Sequence, residues 1–306
     1  MYVLALILSA TIWGTAFVAQ SLGMDYLSPF SFNSIRFFIG GIVLIPVVFV
    51  FELIEKKTKK PVIDDEYIAN RSRRRKTTVI GGMCCGVWLT IAVMLQQIGI
   101  LYTSVGKAGF LTTLYIILVP ILQVFFKKRV RPIIWIGAIL ALAGMYIMCI
   151  TEDFTIGLGD AIEICGGLIW AFHVLTIDHF VPKANAVAMS SIQFLTTGVL
   201  CGIGAIIFER DAISIKAVLD CAGPILYTGV LSSGVAYTLQ VVAQKKVEPT
   251  VACLLMSLES VASAIAAWLV LGQKMTANEI VGCAIVFIAV ILVQLPTKGT
   301  QVGNNA

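Results

Sequence analysis

Apolar residues run along this chain in long unbroken stretches with short polar interruptions, alternating neither at the period of a half-buried strand nor at that of a surface helix. Ten stretches reach about 20 residues, the length that carries a helix rising ~1.5 Å per residue through a ~30 Å hydrocarbon layer. They fall at residues 2–22, 29–51, 77–101, 105–126 and 132–150, then 158–180, 184–208, 225–243, 250–271 and 277–295. Pro29, Pro132 and Pro249 stand at or beside first turns, where a missing N–H is harmless, and Pro296 stops the last run. Continuous runs exclude a β-barrel. The first run lacks a basic leader and stays apolar past any small-residue cleavage site, so it reads as a span and not as a removed signal peptide. The expectation is an all-α membrane protein of ten transmembrane helices.

Composition strengthens this reading. Charged residues are 13% of 306 and mean hydropathy is +0.95, against about 25% charge in a soluble domain. The eight cysteines (Cys84, Cys85, Cys149, Cys165, Cys201, Cys221, Cys253 and Cys283) form no CxxC pair and read as small packing residues. With no Walker A pattern either, neither a cofactor nor direct use of ATP is expected.

Charge then orients the spans. With the N-terminus in the cytoplasm, inside links hold Lys56, Lys57, Lys59, Lys60, Arg71, Arg73, Arg74, Arg75, Lys76, Lys127, Lys128, Arg129, Arg131, Lys183, Lys245, Lys246 and Lys298. Outside links hold only Arg210, Lys216 and Lys274. This bias places both termini in the cytoplasm and makes the net charge of +5 a topology signal, with no nucleic-acid partner implied. The basic segment from Glu52 to Lys76 reads as a solvated loop near anionic lipid, or as a docking element.

The halves also match each other. Ile12-Trp13-Gly14 returns as Ile169-Trp170-Ala171 and Ser34-Ile35-Arg36-Phe37 as Ser191-Ile192-Gln193-Phe194, both 157 residues on; Leu95-Gln96 returns as Leu239-Gln240 after 144. A longer first-half linker accounts for the difference. Five spans per half, an odd number, invert the second copy, giving repeats at 1–151 (with the basic linker 52–76) and 152–306.

Several stretches resemble one family. Ile12-Trp13-Gly14-Thr15-Ala16-Phe17 is similar to the opening W-G-x-x-F of the EamA-type transporters in the drug/metabolite transporter superfamily. Arg36-Phe37 resembles their second-helix R-F, and Gly106-Lys107-Ala108-Gly109-Phe110-Leu111-Thr112 a fourth-helix pattern of one subgroup. Leu258-Glu259-Ser260 through Leu271-Gly272-Gln273 resembles the L-E-P…L-G-E signature of the ninth helix. Ser260 replaces the usual Pro and Gln273 the usual Glu, which weakens any mechanism built on a kink or carboxylate there. The resemblance implies a ten-helix fold and translocation, usually efflux, of metabolites, amino acids or toxic compounds, and no enzymatic activity.

Ionisable groups inside a bilayer are candidate functional residues because each is expensive there. Glu259, ten residues past Pro249 and so ~15 Å deep, and His173, three after Trp170, are candidate proton sites; each is equally readable as a hydrogen-bonded packing group. Arg36 and Lys107 enter from the outer side, to meet an anionic substrate group or to snorkel. Trp13, Trp170, Gln96, Gln240 and Tyr115 complete the candidate substrate site, with Gln97 and Gln244 as further polar groups and Pro120 as an expected interruption of the fourth helix. Gly82-x-x-x-Gly86 and Gly198-x-x-x-Gly202 read as helix contacts. Gly157-Leu158-Gly159-Asp160 matches the GxGD string of intramembrane aspartyl proteases, but Asp160 starts a helix and no second aspartate lies at a span centre. The expected function is a secondary transporter in the plasma membrane, the inner membrane of a bacterium. It moves a small polar or amphipathic metabolite such as an amino acid by alternating access, as an exporter with protons as candidate coupling ion. Its partners are the small-molecule substrate and the lipid bilayer, with oligomeric state left open. The alternative is a membrane scaffold or sensor that keeps the fold without transport.

Overall fold

The long apolar runs become helices whose outer faces carry bare hydrocarbon. Leu8, Ile42, Phe49, Ile139, Ile206 and Leu269 are exposed, as lipid-facing residues are, while Gln97, Thr113, His173, Gln193 and Ser257 are fully buried. A computed structural model describes residues 1–59, 65–103, 105–149, 157–210, 214–271 and 275–294. Among the described residues nine helical spans are long and apolar enough to cross a membrane, and a shorter apolar helix, Pro132–Ile147, lies between the fourth and fifth of them.

The helices are α1 (Tyr2–Gly23), α2 (Pro29–Lys59), α3 (Asp65–Gly99) and α4, in two pieces at Val105–Thr112 and Tyr115–Phe125. Next come α5 (Pro132–Cys149), α6 (Leu158–Phe180) and α7 (Ala186–Phe208). A short helix, Ile215–Asp220, precedes α8, which runs from Ala222 to Ala243; α9 is again in two pieces, Pro249–Met256 and Leu258–Leu271, and α10 is Ala277–Gln294.

Two expectations need correction. The described parts of the segment from Glu52 to Lys76 are helical and not a loop: α2 continues to Lys59 and α3 begins at Asp65. Its Glu, Lys and Arg residues are good helix formers, and they extend both helices beyond the apolar layer. The break in α4 lies at Thr113–Leu114, not at Pro120, which sits inside the second piece. There Thr113 Oγ1 bonds back to Gly109 O, while Leu114 N–H reaches Leu111 O (3.2 Å) and Ile116 N–H reaches Thr113 O (3.0 Å). Ser257 does the same in α9: its Oγ bonds Leu254 O at 2.7 Å, and Ser260 N–H reaches Ser257 O at 3.1 Å. A hydroxyl that competes for a helix carbonyl bends or opens the ladder without help from proline. Ser260 in place of Pro therefore leaves the ninth helix broken all the same.

Within α8, Tyr227–Tyr237 is a π-helix, closed by bonds five residues apart. Its carbonyls accept from α1: Ser9 Oγ donates to Ala236 O at 2.9 Å and Trp13 Nε1 to Ser232 O at 3.4 Å. The principal packed pairs are α1 with α8 and α9, α2 with α7 and α8, α3 with α6 and α7, α4 with α6, and α5 with α10. Small residues permit the closest approaches. A Cβ on Gly82 would meet Ile192, one on Gly86 would meet Thr196, and one on Gly198 would lie 3.1 Å from the Phe38 ring. At the end of α7, the Glu209 carboxylate accepts from Phe30 N–H and Ser31 N–H (both 2.8 Å) and from Ser31 Oγ (2.6 Å), capping the start of α2.

Candidate functional site

The two helix breaks face one interior cavity. Its wall is Trp13, Phe17 and Gln20 from α1, Arg36 from α2, Gln96 from α3, Thr112 and Tyr115 from α4, and Trp170 and Val174 from α6. Ser232, Tyr237 and Gln240 from α8 and Met256 and Glu259 from α9 close it. The free volume is about 40 Å³. At about 10–15 Å³ per water on the same measure, that is room for a few waters, and an amino-acid-sized solute requires the walls to move.

Aromatic rings form the body of the cavity. Tyr237 lies between the two indoles, its centroid 4.6 Å from Trp13 and 6.1 Å from Trp170, the latter nearly parallel at 20°. Phe37 and Phe194 back Tyr237 at 6.4 and 5.7 Å. Opposite charges occupy separate places in this wall. Arg36 Nε donates to Asn33 Oδ1 at 2.8 Å, and its guanidinium stands over Phe37 at 4.7 Å. Glu259 Oε1 accepts from Tyr115 Oη at 3.1 Å and lies 3.3 Å from Thr113 Oγ1. Among the described residues neither has an opposite charge within salt-bridge distance. Polar atoms on the wall also lack hydrogen-bond partners: Trp170 Nε1, Gln20 Oε1 and Gln240 Oε1. Buried polar atoms are nearly always paired, so these three present bonding capacity that water or a ligand in the cavity can complete.

The structure brings together Trp13, Arg36, Gln96, Tyr115, Trp170, Gln240 and Glu259 out of the candidates read from sequence. His173 stands one layer behind, its ring 5.5 Å from Trp170 and its Nε2 3.2 Å from Gln193 Oε1. The Lys107 side chain lies outside the described residues, as do Gly272 and Gln273. Gln97 and Gln244 serve packing, through Nε2 bonds to Gln20 O and Val174 O, each 3.5 Å. Asp160 of the GxGD string caps α6, accepting from Gly157 N–H at 3.0 Å and from Thr103 Oγ1 at 2.5 Å. Sequence reasoning missed Tyr237, the ring that joins the two tryptophans, because nothing marks one tyrosine inside an apolar run. It also missed Glu163, fully buried on α6. Among the described residues no group of three His, Cys, Asp or Glu side chains is arranged to hold a metal.

The sequence and the fold both have known relatives. Residues 1–150 and 157–295 match the EamA-like transporter family. The chain belongs to the EamA-like transporter family. Membership of the drug/metabolite transporter superfamily follows, and this EamA-like protein is a multi-pass membrane transporter. An uncharacterized transporter of Archaeoglobus fulgidus is 26% identical over 298 residues, covering 95% of this chain and 85% of its own length. One of Clostridium kluyveri is 23% identical over 284 residues, 90% of this chain and 85% of its own. A solved crystal structure shares the fold with a TM-score of 0.69 at 18% identity, over 94% of this chain and 96% of that one.

Proposed function

We propose that this EamA-like protein is a proton-coupled exporter of a small zwitterionic metabolite of the amino-acid class, working by alternating access across the plasma membrane. The observation that carries the reading is the pair of opposite, separately held charges on one aromatic cavity wall. Arg36 suits a substrate carboxylate; Glu259 suits a substrate ammonium or, without substrate, a proton. Exchange of one for the other at Glu259 is a direct route to antiport.

Two inverted repeats, 1–151 and 152–306, supply the moving parts. Adding five to each helix number turns α1–α9 into α6–α4, α3–α6 into α8–α1 and α3–α7 into α8–α2, while α2–α7 and α5–α10 map onto themselves. The cavity wall maps likewise: Trp13 onto Trp170 and Phe17 onto Val174 at 157, Gln96 onto Gln240, Thr112 onto Met256 and Tyr115 onto Glu259 at 144. A wall built of repeat mates supports a site that either repeat can uncover in turn. The cation-rich links, including the cleft lined by Arg73, Arg74, Lys183 and Lys245, are read as cytoplasmic, and both termini with them.

A thermal-shift screen of amino acids and related zwitterions on the purified protein, followed by efflux from proteoliposomes, tests the proposal. We expect a zwitterion to raise the melting temperature of the parent but not of Arg36→Gln or Glu259→Gln, and to be exported against a proton gradient. Folded protein that neither binds nor moves any of them refutes it. In an otherwise Cys-free variant, Arg75→Cys resists an impermeant thiol reagent applied to intact cells and Ser214→Cys reacts; the opposite pattern reverses the orientation.

A further inference from the structure

We propose that Glu163 is a second proton-binding site, set on the outer side of the central cavity and joined to it by Thr112. Glu163 lies on α6, about one and a half turns from its start, and is fully buried. Thr112 Oγ1 donates to Glu163 Oε2 at 2.7 Å, and Oε1 has no hydrogen-bond partner. Among the described residues no cation lies within salt-bridge distance of Glu163. The end of α3 presents Gly99, on which Oε1 is packed so closely that a Cβ there would collide with it. On α6 itself the nearest titratable neighbour is Asp160, one turn earlier and also acidic. From α4 the facing group is the Thr112 hydroxyl; Lys107 is on the same helix, with its side chain outside the described residues.

An ionised carboxylate with one dry oxygen is expensive in a membrane interior. A carboxylic acid is much cheaper: Oε2 accepts from Thr112 and the proton sits on Oε1. Glu163 therefore holds a proton in this closed state.

The position of Thr112 gives that proton a use. Thr112 is the last residue of the first piece of α4, beside the Thr113–Leu114 break, and it lines the central cavity. When the outer piece of α4 swings away from α6, the Thr112 bond breaks and water reaches Glu163. Solvation then lets the acid ionise and release its proton outward. This use rests on the transport reading; the presence of the proton does not.

Infrared spectroscopy of the parent and variants in lipid at neutral pH tests it. Glu163→Gln removes one carboxylic-acid C=O band, and Thr112→Val moves that band to higher frequency by taking away its donor. Glu259→Gln leaves the band in place, so failure of the central-site reading is distinguishable from failure of this one. If Glu163→Gln loses a carboxylate band and leaves the carboxylic-acid region unchanged, Glu163 is ionised and the proposal falls. Should Glu163→Gln not fold, Thr112→Val and Gly99→Ala touch the same group, and absence of any carboxylic-acid shift in both overturns it.

Discussion

The breaks in α4 and α9 are made in the same way and used differently. Thr113 and Ser257, 144 residues apart, each turn a hydroxyl back onto a helix carbonyl and open one turn facing the cavity. Two residues on, α4 carries Tyr115 and α9 carries Glu259, and these two side chains bond each other. The same contrast holds next door, where Gly14 of α1 faces α9 and Ala171 stands at the corresponding place on α6. The backbone device is common to both halves while the chemistry has become one-sided. In the proposed mechanism, symmetry serves movement and asymmetry serves the holding of a substrate with two unlike ends.

The largest expected effect comes from erasing that asymmetry. Glu259→Gln should lower efflux of the compound found in the zwitterion screen by 30-fold or more, as for ~2–5 kcal/mol lost when one buried charged partner is removed. Retained flux with an unchanged pH profile would place the working carboxyl elsewhere. Gly14→Ala should follow. Its Cβ would lie 2.5 Å from Ala262 Cβ and 2.7 Å from Ser263 N, so overpacking of about 1–3 kcal/mol should lower the melting temperature. Ala171→Gly should cost less, about 1 kcal/mol. Equal losses in the two variants would mean that the helix contacts of the two halves are equally tight.

Tyr115→Phe removes one hydrogen bond from Glu259 and should reduce efflux only about two- to fivefold, the scale of ~0.5–1 kcal/mol. A loss as deep as that of Glu259→Gln would make the tyrosine a partner in proton transfer. Smallest of all, Thr113→Ala and Ser257→Ala should each cost about 0.5–1 kcal/mol in thermal stability, and by similar amounts. A clear inequality would show that one break does more than its counterpart.

Ten crossings were legible because span length is dictated by bilayer thickness, and continuous apolarity leaves few other readings. Half of the cavity wall was legible too, since charges and indoles stand out against hydrocarbon. The breaks were not: a threonine or serine in a helix is ordinary until its hydroxyl is seen bonding backward, and Pro120 drew attention six residues too far along. Glu163 escaped because a carboxylate near a helix start reads as a favourable partner of the helix dipole. Only the packing of Gly99 and Thr112 around it reveals that it is dry. The helical extensions over 52–59 and 65–76 were hidden by their polarity, which describes where a segment lies and not what shape it takes.

The π-helical stretch of α8 sets a phase. In an α-helix, residues five apart point about 140° away from each other, so Ser232 and Tyr237 could not both look into one cavity. Closing the ladder five residues on brings them to the same side. Rewinding the same residues as an α-helix, with none removed, would turn Tyr237 by roughly 100°, parting the two indoles from the ring that joins them. One widened turn thus acts as a spacer in angle instead of length, letting a crossing helix bring its serine and its tyrosine to the same cavity.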